Sequence, residues 1–259
     1  MSTPSSTHLV LIPSYDTGPV LLATVRAALA QWRPVWVVVD GSTDGSERPV
    51  LELARSEPAL RVIVSPQNEG KGAAILRGAH EAVAAGFTHA LLLDSDGQHP
   101  ADHIPGFMAA SAADPAAMIL GRPIFGPEAP RLRCWGRKLS VAMAAVETLG
   151  RGIDDPLFGF RLYPLAPLLA VFAATRGARR FDFDHETAVR LFWSGVRPRN
   201  RPAPCRYLAP AAGGVSHFRY GRDNLLLVAM QLRLLAALVS RLPRVLALRR
   251  HWAGDYDAR

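Results

Sequence analysis

Two carboxylates one residue apart, Asp94 and Asp96, close an apolar run in "LLLDSDGQHP", and Gln98 and His99 follow at once. Where the chain turns, both carboxylates can reach one ligand. Hard oxygen donors without cysteine suit Mg²⁺ or Mn²⁺, which leaves other positions to water and phosphate. A cation held there would bridge a diphosphate and neutralise charge on a departing nucleoside diphosphate. Gln98 and His99 can add a ligand or a hydrogen bond behind one. A bare D-x-D occurs often by chance; one that ends a strand and runs into Gln-His-Pro is a stronger signal. A second candidate is Gly70-Lys71-Gly72, which opens a helix-forming segment whose first amides and ammonium group suit an anion. Its spacing is not that of a Walker A loop. Lys71 and Lys138 are the two lysines of a 259-residue chain whose net charge of +8 comes almost wholly from arginine. Asp40, at the end of another apolar run, can accept a hydrogen bond from a base or ribose.

Such residues need a scaffold, and the first 122 positions supply one. "HLVLIP" (8–13), "VWVVVD" (35–40), "LRVIVS" (60–65), "HALLLD" (89–94) and "AMILG" (117–121) read as strands. The first four are mostly apolar on both faces, as in a parallel sheet covered by helices. Helices are expected at 19–31, 46–57, 70–85 and 102–112. This alternation predicts a doubly wound α/β sheet, in which ligands bind beyond the carboxyl ends of the strands. Four polar clusters therefore meet at one crevice: Pro13-Ser14-Tyr15-Asp16, the turn from Asp40 to Gly45, Asn68 to Gly72, and Asp94-Ser95-Asp96. Further on, helices are expected at 131–149, 165–175 and 184–195, a strand at 158–164, and an apolar helical segment from Asp223 to Arg250, broken at Pro243. Cys134 and Cys205 form neither a disulfide framework nor a zinc pattern. The N-terminus has no basic region followed by a long apolar run, so no secretory signal is expected. The apolar tract from Leu225 meets Arg233 after eight residues, too soon for a spanning helix.

Six stretches in order, "IPSY", "VVVDGSTDG", "NEGKGAAILRGA", "LLLDSDGQHP", "DDPLFGFRLY" and "FDFDHE", resemble the motif series of the family 2 glycosyltransferases over residues 8–220. The subgroup they look most like is the dolichol-phosphate mannosyltransferase-like, polyprenyl-phosphate branch. The resemblance implies a GT-A fold, a nucleotide-sugar half (8–122) merged with an acceptor half (123–222), a divalent metal, and inversion at the anomeric carbon. By that resemblance Pro13, Tyr15, Asp16, Asp40, Lys71, Asp94, Ser95, Asp155 and Arg161 lie on the nucleotide-sugar. Asp94, Asp96 and Gln98 hold the metal, and Glu186 is an acidic acceptor-side position. Three departures stand out. "YDT" replaces the usual "YNE", Val39 replaces the first carboxylate of "VDDGS", and Phe158 stands where a small residue is usual, which would reshape the sugar pocket.

The acceptor decides the remaining chemistry. A lipid phosphate is already a nucleophile and needs clustered cations, for which Arg131, Arg133, Arg137 and Lys138 are candidates, with Arg219 and Arg222 beside them. A hydroxyl needs a base, and Glu186, then Asp184, are placed for it. On a helical wheel Arg222, just before the C-terminal segment 223–259, and Arg233, Ser240 and Arg244 within it fall on roughly one face, so this helix can lie in an anionic membrane interface or pack on the domain or a second copy. The expectation is an inverting enzyme, cytoplasmic and peripheral on the inner membrane face, that moves a hexose from a GDP- or UDP-hexose to a lipid-linked acceptor. A glycolipid or cell-envelope hydroxyl is the alternative acceptor, and a homodimer is compatible. A sugar nucleotidyltransferase would show a basic Gly-rich loop after the first strand, which "IPSYDTG" is not. A non-catalytic binding module has no need of both Asp94 and Asp96, and no aromatic-basic motif supports nucleic-acid binding.

Overall fold

The structure is a computed structural model that describes residues 3–126, 131–150, 152–175, 177–206 and 220–252, with backbone alone for 131–136 and 220. The strands are β1 (His8–Ser14), β2 (Val35–Asp40), β3 (Leu60–Ser65), β4 (His89–Leu92), β5 (Met118–Phe125), β6 (Arg161–Pro164) and β7 (Pro198–Cys205). The helices are α1 (Val20–Gln31), α2 (Arg48–Ser56), α3 (Lys71–Ala84), α4 (Ile104–Ala113), α5 (Arg131–Glu147), α6 (Leu165–Ala173), α7 (Phe183–Ser194) and α8 (Tyr220–His251).

The strands form one sheet in the order β3-β2-β1-β4-β6-β5-β7. β6 runs antiparallel to both its neighbours; every other pairing is parallel. β1 and β2 are buried along their whole length, which is why they read as unbroken apolar runs. One face of the sheet packs on α1, α2 and α4, the other on α3, α6, α7 and α8. α3 comes unusually near: a Cβ on Gly78 would lie 2.6 Å from Leu11 and 2.9 Å from Val38. The chain leaves β1 for β2 on one side and returns to β4 on the other. This order reversal opens a crevice at the carboxyl ends of β1 and β4.

Three details differ from the sequence expectation. β4 stops at Leu92 and β6 starts at Arg161, so Leu93–Asp94 and Phe158–Phe160 are irregular chain that can turn toward the crevice. β7 was not expected at all, since "PRNRPAPC" carries three prolines. It is the edge strand, and Arg197 O accepts the Met118 N–H of β5, so odd-numbered residues face β5 and Pro198, Pro202 and Pro204 face the open edge. There the missing N–H groups cost no ladder bond. Finally, α8 runs through Pro243 without a break. Pro243 lies on the exposed face, where solvent can take the carbonyl that the ring leaves unpaired. By length and composition Gly221–His251 could span a membrane, which the count to Arg233 had excluded.

Candidate active site

The loops after β1 and β2 are tied to each other through backbone amides. Asp16, at φ 41°, accepts the Thr43 N–H at 2.6 Å and that of Asp44 at 3.3 Å, and donates its own N–H to Ser42 Oγ. Asp44 returns the bond by accepting the Gly18 N–H at 2.8 Å. Pro13 is buried in β1, and Tyr15 is half-buried on the loop beyond. Thr17 Oγ1 reaches Ser14 Oγ at 3.1 Å and, across the crevice, Ser95 Oγ at 2.8 Å. Sequence reading passed over Thr17, whose hydroxyl joins the ends of β1 and β4.

Asp40 is placed differently from the expectation. It is 2% exposed and accepts the Glu69 and Gly70 N–H groups at 3.1 and 2.7 Å, so it braces the β3–α3 loop from beneath instead of facing a base. Burial pushes its carboxyl above the ordinary range against the pull of those two amides. The start of α3 is likewise closed to an anion. Gly72 N and Ala73 N donate to the Arg179 carbonyl at 2.9 and 3.3 Å.

Lys71 lies where the halves meet. Its ammonium is 2.8 Å from Asp94 Oδ1 and 2.7 Å from Asp184 Oδ2. Burial alone would discharge Lys71, but the two carboxylates outweigh it and hold its pKa above normal. For Asp94, burial opposes ionisation, while the Lys71 ammonium beside it holds the group below the usual carboxylate range. His99 Nδ1 accepts the Asp94 N–H at 3.1 Å, which places the ring proton on Nε2, 3.6 Å from Asp94 Oδ2. Burial pushes the His99 pKa down, keeping the ring neutral. Asp96 Oδ1 accepts the Gln98 N–H at 3.0 Å, and the Gln98 carbonyl holds the Arg206 N–H beyond β7. Burial and then the charge of Asp94 raise the Asp96 pKa. Gly159 makes this grouping possible: a Cβ there would collide with Asp94 Oδ2 and lie 2.9 Å from Lys71 Nζ.

Several second-half residues act from behind the crevice. Arg161 is fully buried and donates to the Phe158, Asp155 and Asp184 carbonyls at 2.6, 3.1 and 2.5 Å and to Tyr163 Oη at 3.1 Å. This corrects its assignment to the nucleotide-sugar: it sets the chain beneath. Asp155 forms a two-bond pair with Arg137 (Nη2–Oδ1 3.0 Å), and its Oδ1 also accepts the Leu157 and Phe158 N–H groups at 2.8 Å each. Arg137, expected on an acceptor phosphate, is thus held by Asp155. The Arg131 and Arg133 side chains and Arg219 lie outside the described residues. Phe158 does not line a sugar pocket. It is buried, with its ring edge-on to His99 at 4.8 Å and accommodated by Gly121.

On α7 the two candidate bases, Glu186 and Asp184, are placed differently from each other. Asp184 and Glu186 are two positions apart, about 200° around a helix, so they face different ways. Asp184 faces Lys71, and its Oδ1 has no hydrogen-bond partner. Glu186 is fully buried, 2.7 Å from Arg190 and 2.9 Å from Arg233 of α8. Among the described residues no three His, Cys, Asp or Glu side chains converge as a ready-made metal site. A groove of about 550 Å³ between α3 and α6 is lined by neither Lys71 nor a strand-end carboxylate.

Sheet order, crevice and strand-end carboxylates together define a GT-A-type protein. The profile of "Glycosyl transferase family 2" matches residues 9–163, and the chain belongs to that family. It is 30% identical over 169 residues to polyprenol monophosphomannose synthase of Mycolicibacterium smegmatis, a match spanning 62% of each chain. Undecaprenyl-phosphate mannosyltransferase of Micrococcus luteus is 23% identical over 73% of this chain and 79% of its own. Among solved structures, glucosyl-3-phosphoglycerate synthase of Mycobacterium tuberculosis, captured with Mn²⁺, UDP-glucose and phosphoglyceric acid, shares the fold with a TM-score of 0.55. Its identity is 16%, over 91% of this chain and 79% of that one.

Proposed function

We propose that the protein is an inverting, metal-dependent hexosyltransferase that moves a hexose from a GDP- or UDP-hexose to a polyprenyl phosphate, peripherally at the inner face of a membrane. The observation that carries the acceptor class is the sealing of Glu186 between Arg190 and Arg233. A hydroxyl acceptor needs a carboxylate to take its proton. A phosphate oxygen is already anionic and attacks the anomeric carbon without one. Two relatives carry names for transfer to or synthesis on polyprenyl phosphates, which supports the same acceptor. The unpartnered Asp184 Oδ1 favours the second reading, a hydroxyl acceptor with Asp184 as base.

Asp94 and Asp96, with Gln98, would hold Mg²⁺ or Mn²⁺. The fit rests on Asp96, whose charge no described cation meets at contact distance, and on the orphaned Asp184 oxygen across Lys71. When bound, the cation supplies charge neutralisation for the departing diphosphate. Lys71 keeps Asp94 ionised, Ser95 and Thr17 fix the β1–β4 gap, and neutral His99 orients Asp94 from below.

The membrane side of the proposal rests on α8. Its inner face, from Met230 through Leu234, Leu238 and Val245 to Trp252, is buried in the core. On the opposite side Leu225, Val228, Leu232, Val239, Leu242 and Leu246 are exposed. These positions recur at three, four or seven residues, giving a stripe about 30 Å long at 1.5 Å per residue. No acidic residue occurs from Asn224 to Trp252, while Arg222, Arg233, Arg244, Arg249 and Arg250 are exposed around the helix. A two-fold pair of such helices would oppose like charges; an anionic lipid surface complements them. The buried inner face keeps the helix in the plane of the surface rather than across it.

The test uses the full chain in detergent with a panel of GDP- and UDP-hexoses, polyprenyl phosphate or free polyprenol, and Mn²⁺ or EDTA. Product is expected with the phosphate and Mn²⁺ alone, with inverted anomeric configuration by NMR. Transfer to polyprenol, or full activity in EDTA, overturns the acceptor or the metal. For the membrane side, Leu232→Ser with Val239→Ser is expected to abolish sedimentation with anionic liposomes; unchanged sedimentation overturns it.

A further inference from the structure

The N-cap and first turn of α7 carry three carboxylates in seclusion: Asp182, Asp184 and Glu186 are 2%, 6% and 0% exposed. Each has a separate task. Asp184 holds Lys71, and Glu186 binds Arg190. Asp182 shapes the preceding turn, its two oxygens accepting the Ala178 and Arg180 N–H groups at 3.0 Å each. Within that turn the Arg179 carbonyl caps α3 by accepting the Gly72 and Ala73 N–H groups. α3 begins at Lys71, so the turn fixes where the ammonium between Asp94 and Asp184 can lie. Arg180 extends the same brace to Asn68 Oδ1 at 3.2 Å, on the loop that Asp40 holds.

Besides Lys71, a second cation from a distant element reaches this segment. Arg233 of α8 lies 3.3 Å from Asp182 Oδ2 and 2.9 Å from Glu186 Oε2. Gly177 leaves the space: a Cβ there would come within 2.7 Å of Arg233 Nη2. A buried carboxylate stripped of its cation does not stay in place cheaply, because charge in a low-dielectric setting needs a partner. The contacts thus run unbroken from α8 through Arg233, Asp182 and the 177–182 turn to the α3 cap and Lys71.

We propose that Arg233 is a positioning residue that ties the docking of α8 to the geometry of Lys71, Asp94 and Asp184; the consequence for turnover rests on the glycosyl-transfer reading above. The side of α8 that would meet lipid is opposite its packed side, so the helix can touch a surface and brace the crevice at once. A state in which α8 lifts away has a loosened α3 cap and a displaced ammonium, and transfer would be confined to chains whose α8 is seated.

The experiment compares the full chain with Arg233→Gln and Arg233→Lys, each at equal fold content. Hydrogen exchange at the Gly72 and Ala73 amides is expected to quicken about tenfold in Arg233→Gln, within the range for coupling through a contact network. Exchange in β1 and β4 should stay unchanged, and Arg233→Lys should restore most of the protection. Turnover with a nucleotide-hexose is expected to fall about tenfold in Arg233→Gln, in kcat more than in KM. Unchanged exchange at 72–73, or an equal rise in β1 and β4, overturns the proposal. If the wild-type chain transfers no hexose, the functional reading fails while the exchange data still decide the link.

Discussion

The two halves of the sheet hold their carboxylates by different means. At the ends of β1, β2 and β4, Asp16, Asp40, Asp44 and Asp96 are fixed by backbone N–H groups. In the second half Asp155, Asp182, Asp184, Glu186 and Glu147 each face a cationic or imidazole side chain, several from distant elements. Amides orient a carboxylate without cancelling its charge; a guanidinium or ammonium cancels it. The first half therefore keeps its negative charge at the strand ends, while the second half pairs its carboxylates with cations or an imidazole. Asp94, paired with Lys71, joins the two.

The most direct way to break this contrast is Asp96. In Asp96→Ala, turnover should fall by about 10³-fold or more, roughly 4 kcal/mol of lost transition-state stabilisation. Retained Mn²⁺-dependent activity would show that the amide-held carboxylates are not the metal seat. Its stability should move the other way. The folded pKa of Asp96 is raised, so ionisation above the unfolded pKa of about 4 weakens the fold. Asp96→Asn should therefore melt higher than wild type at pH 7, and the advantage should vanish as the pH falls below about 4.

Asp155 should behave in the opposite sense. Asp155→Ala strands the half-buried Arg137 and releases the Leu157 and Phe158 amides, at a cost of about 3 kcal/mol in denaturant melts. A loss under 1 kcal/mol would mean that the second half is not built on its ion pairs.

The contrast also runs along one strand. At the far end of β1, His8 stacks on His89 at 4.4 Å, and burial, then His89, push its pKa down to about 4. The unfolded chain takes up a proton near pH 6.5 and the folded one does not. Stability should thus decline as the pH falls from 6.5 to 4, by about 3 kcal/mol in all. His8→Gln should flatten that part of a melting-temperature profile; an unaltered slope would assign it elsewhere. The smallest effect is expected at the junction. Gly159→Ala drives a methyl against Asp94 and Lys71, and should lower kcat/KM about tenfold with a small change in melting temperature.

The same division explains what the sequence disclosed. β1 to β4 are continuous apolar runs, and their polar ends follow from the rule that α/β sheets bind at carboxyl edges. Asp94, Asp96 and Lys71 were singled out for that reason, and the structure places Lys71 against Asp94. Arg161, Arg137 and Glu186 were assigned to ligands because chemistry-bearing type and motif position say nothing of direction. Burial along α7 is nearly complete from Phe183 to Val189, so no polar stripe marks which carboxylate faces the crevice. Only the helix geometry separates Asp184 from Glu186. β7 escaped notice because its prolines obey the open edge rather than a propensity. Arg233 could not be linked to Asp182 without a fold that brings residues 51 positions apart into contact.

The prolines of β7 have a further effect. An edge strand offers its free N–H and C=O groups to any other extended chain, and Pro198, Pro202 and Pro204 deprive that row of donors where Asn200 alone remains. A protein that would be crowded against others on a surface by an apolar helix thereby has one margin of its sheet shut to strand addition. Replacing those prolines is the change that would turn crowding into aggregation.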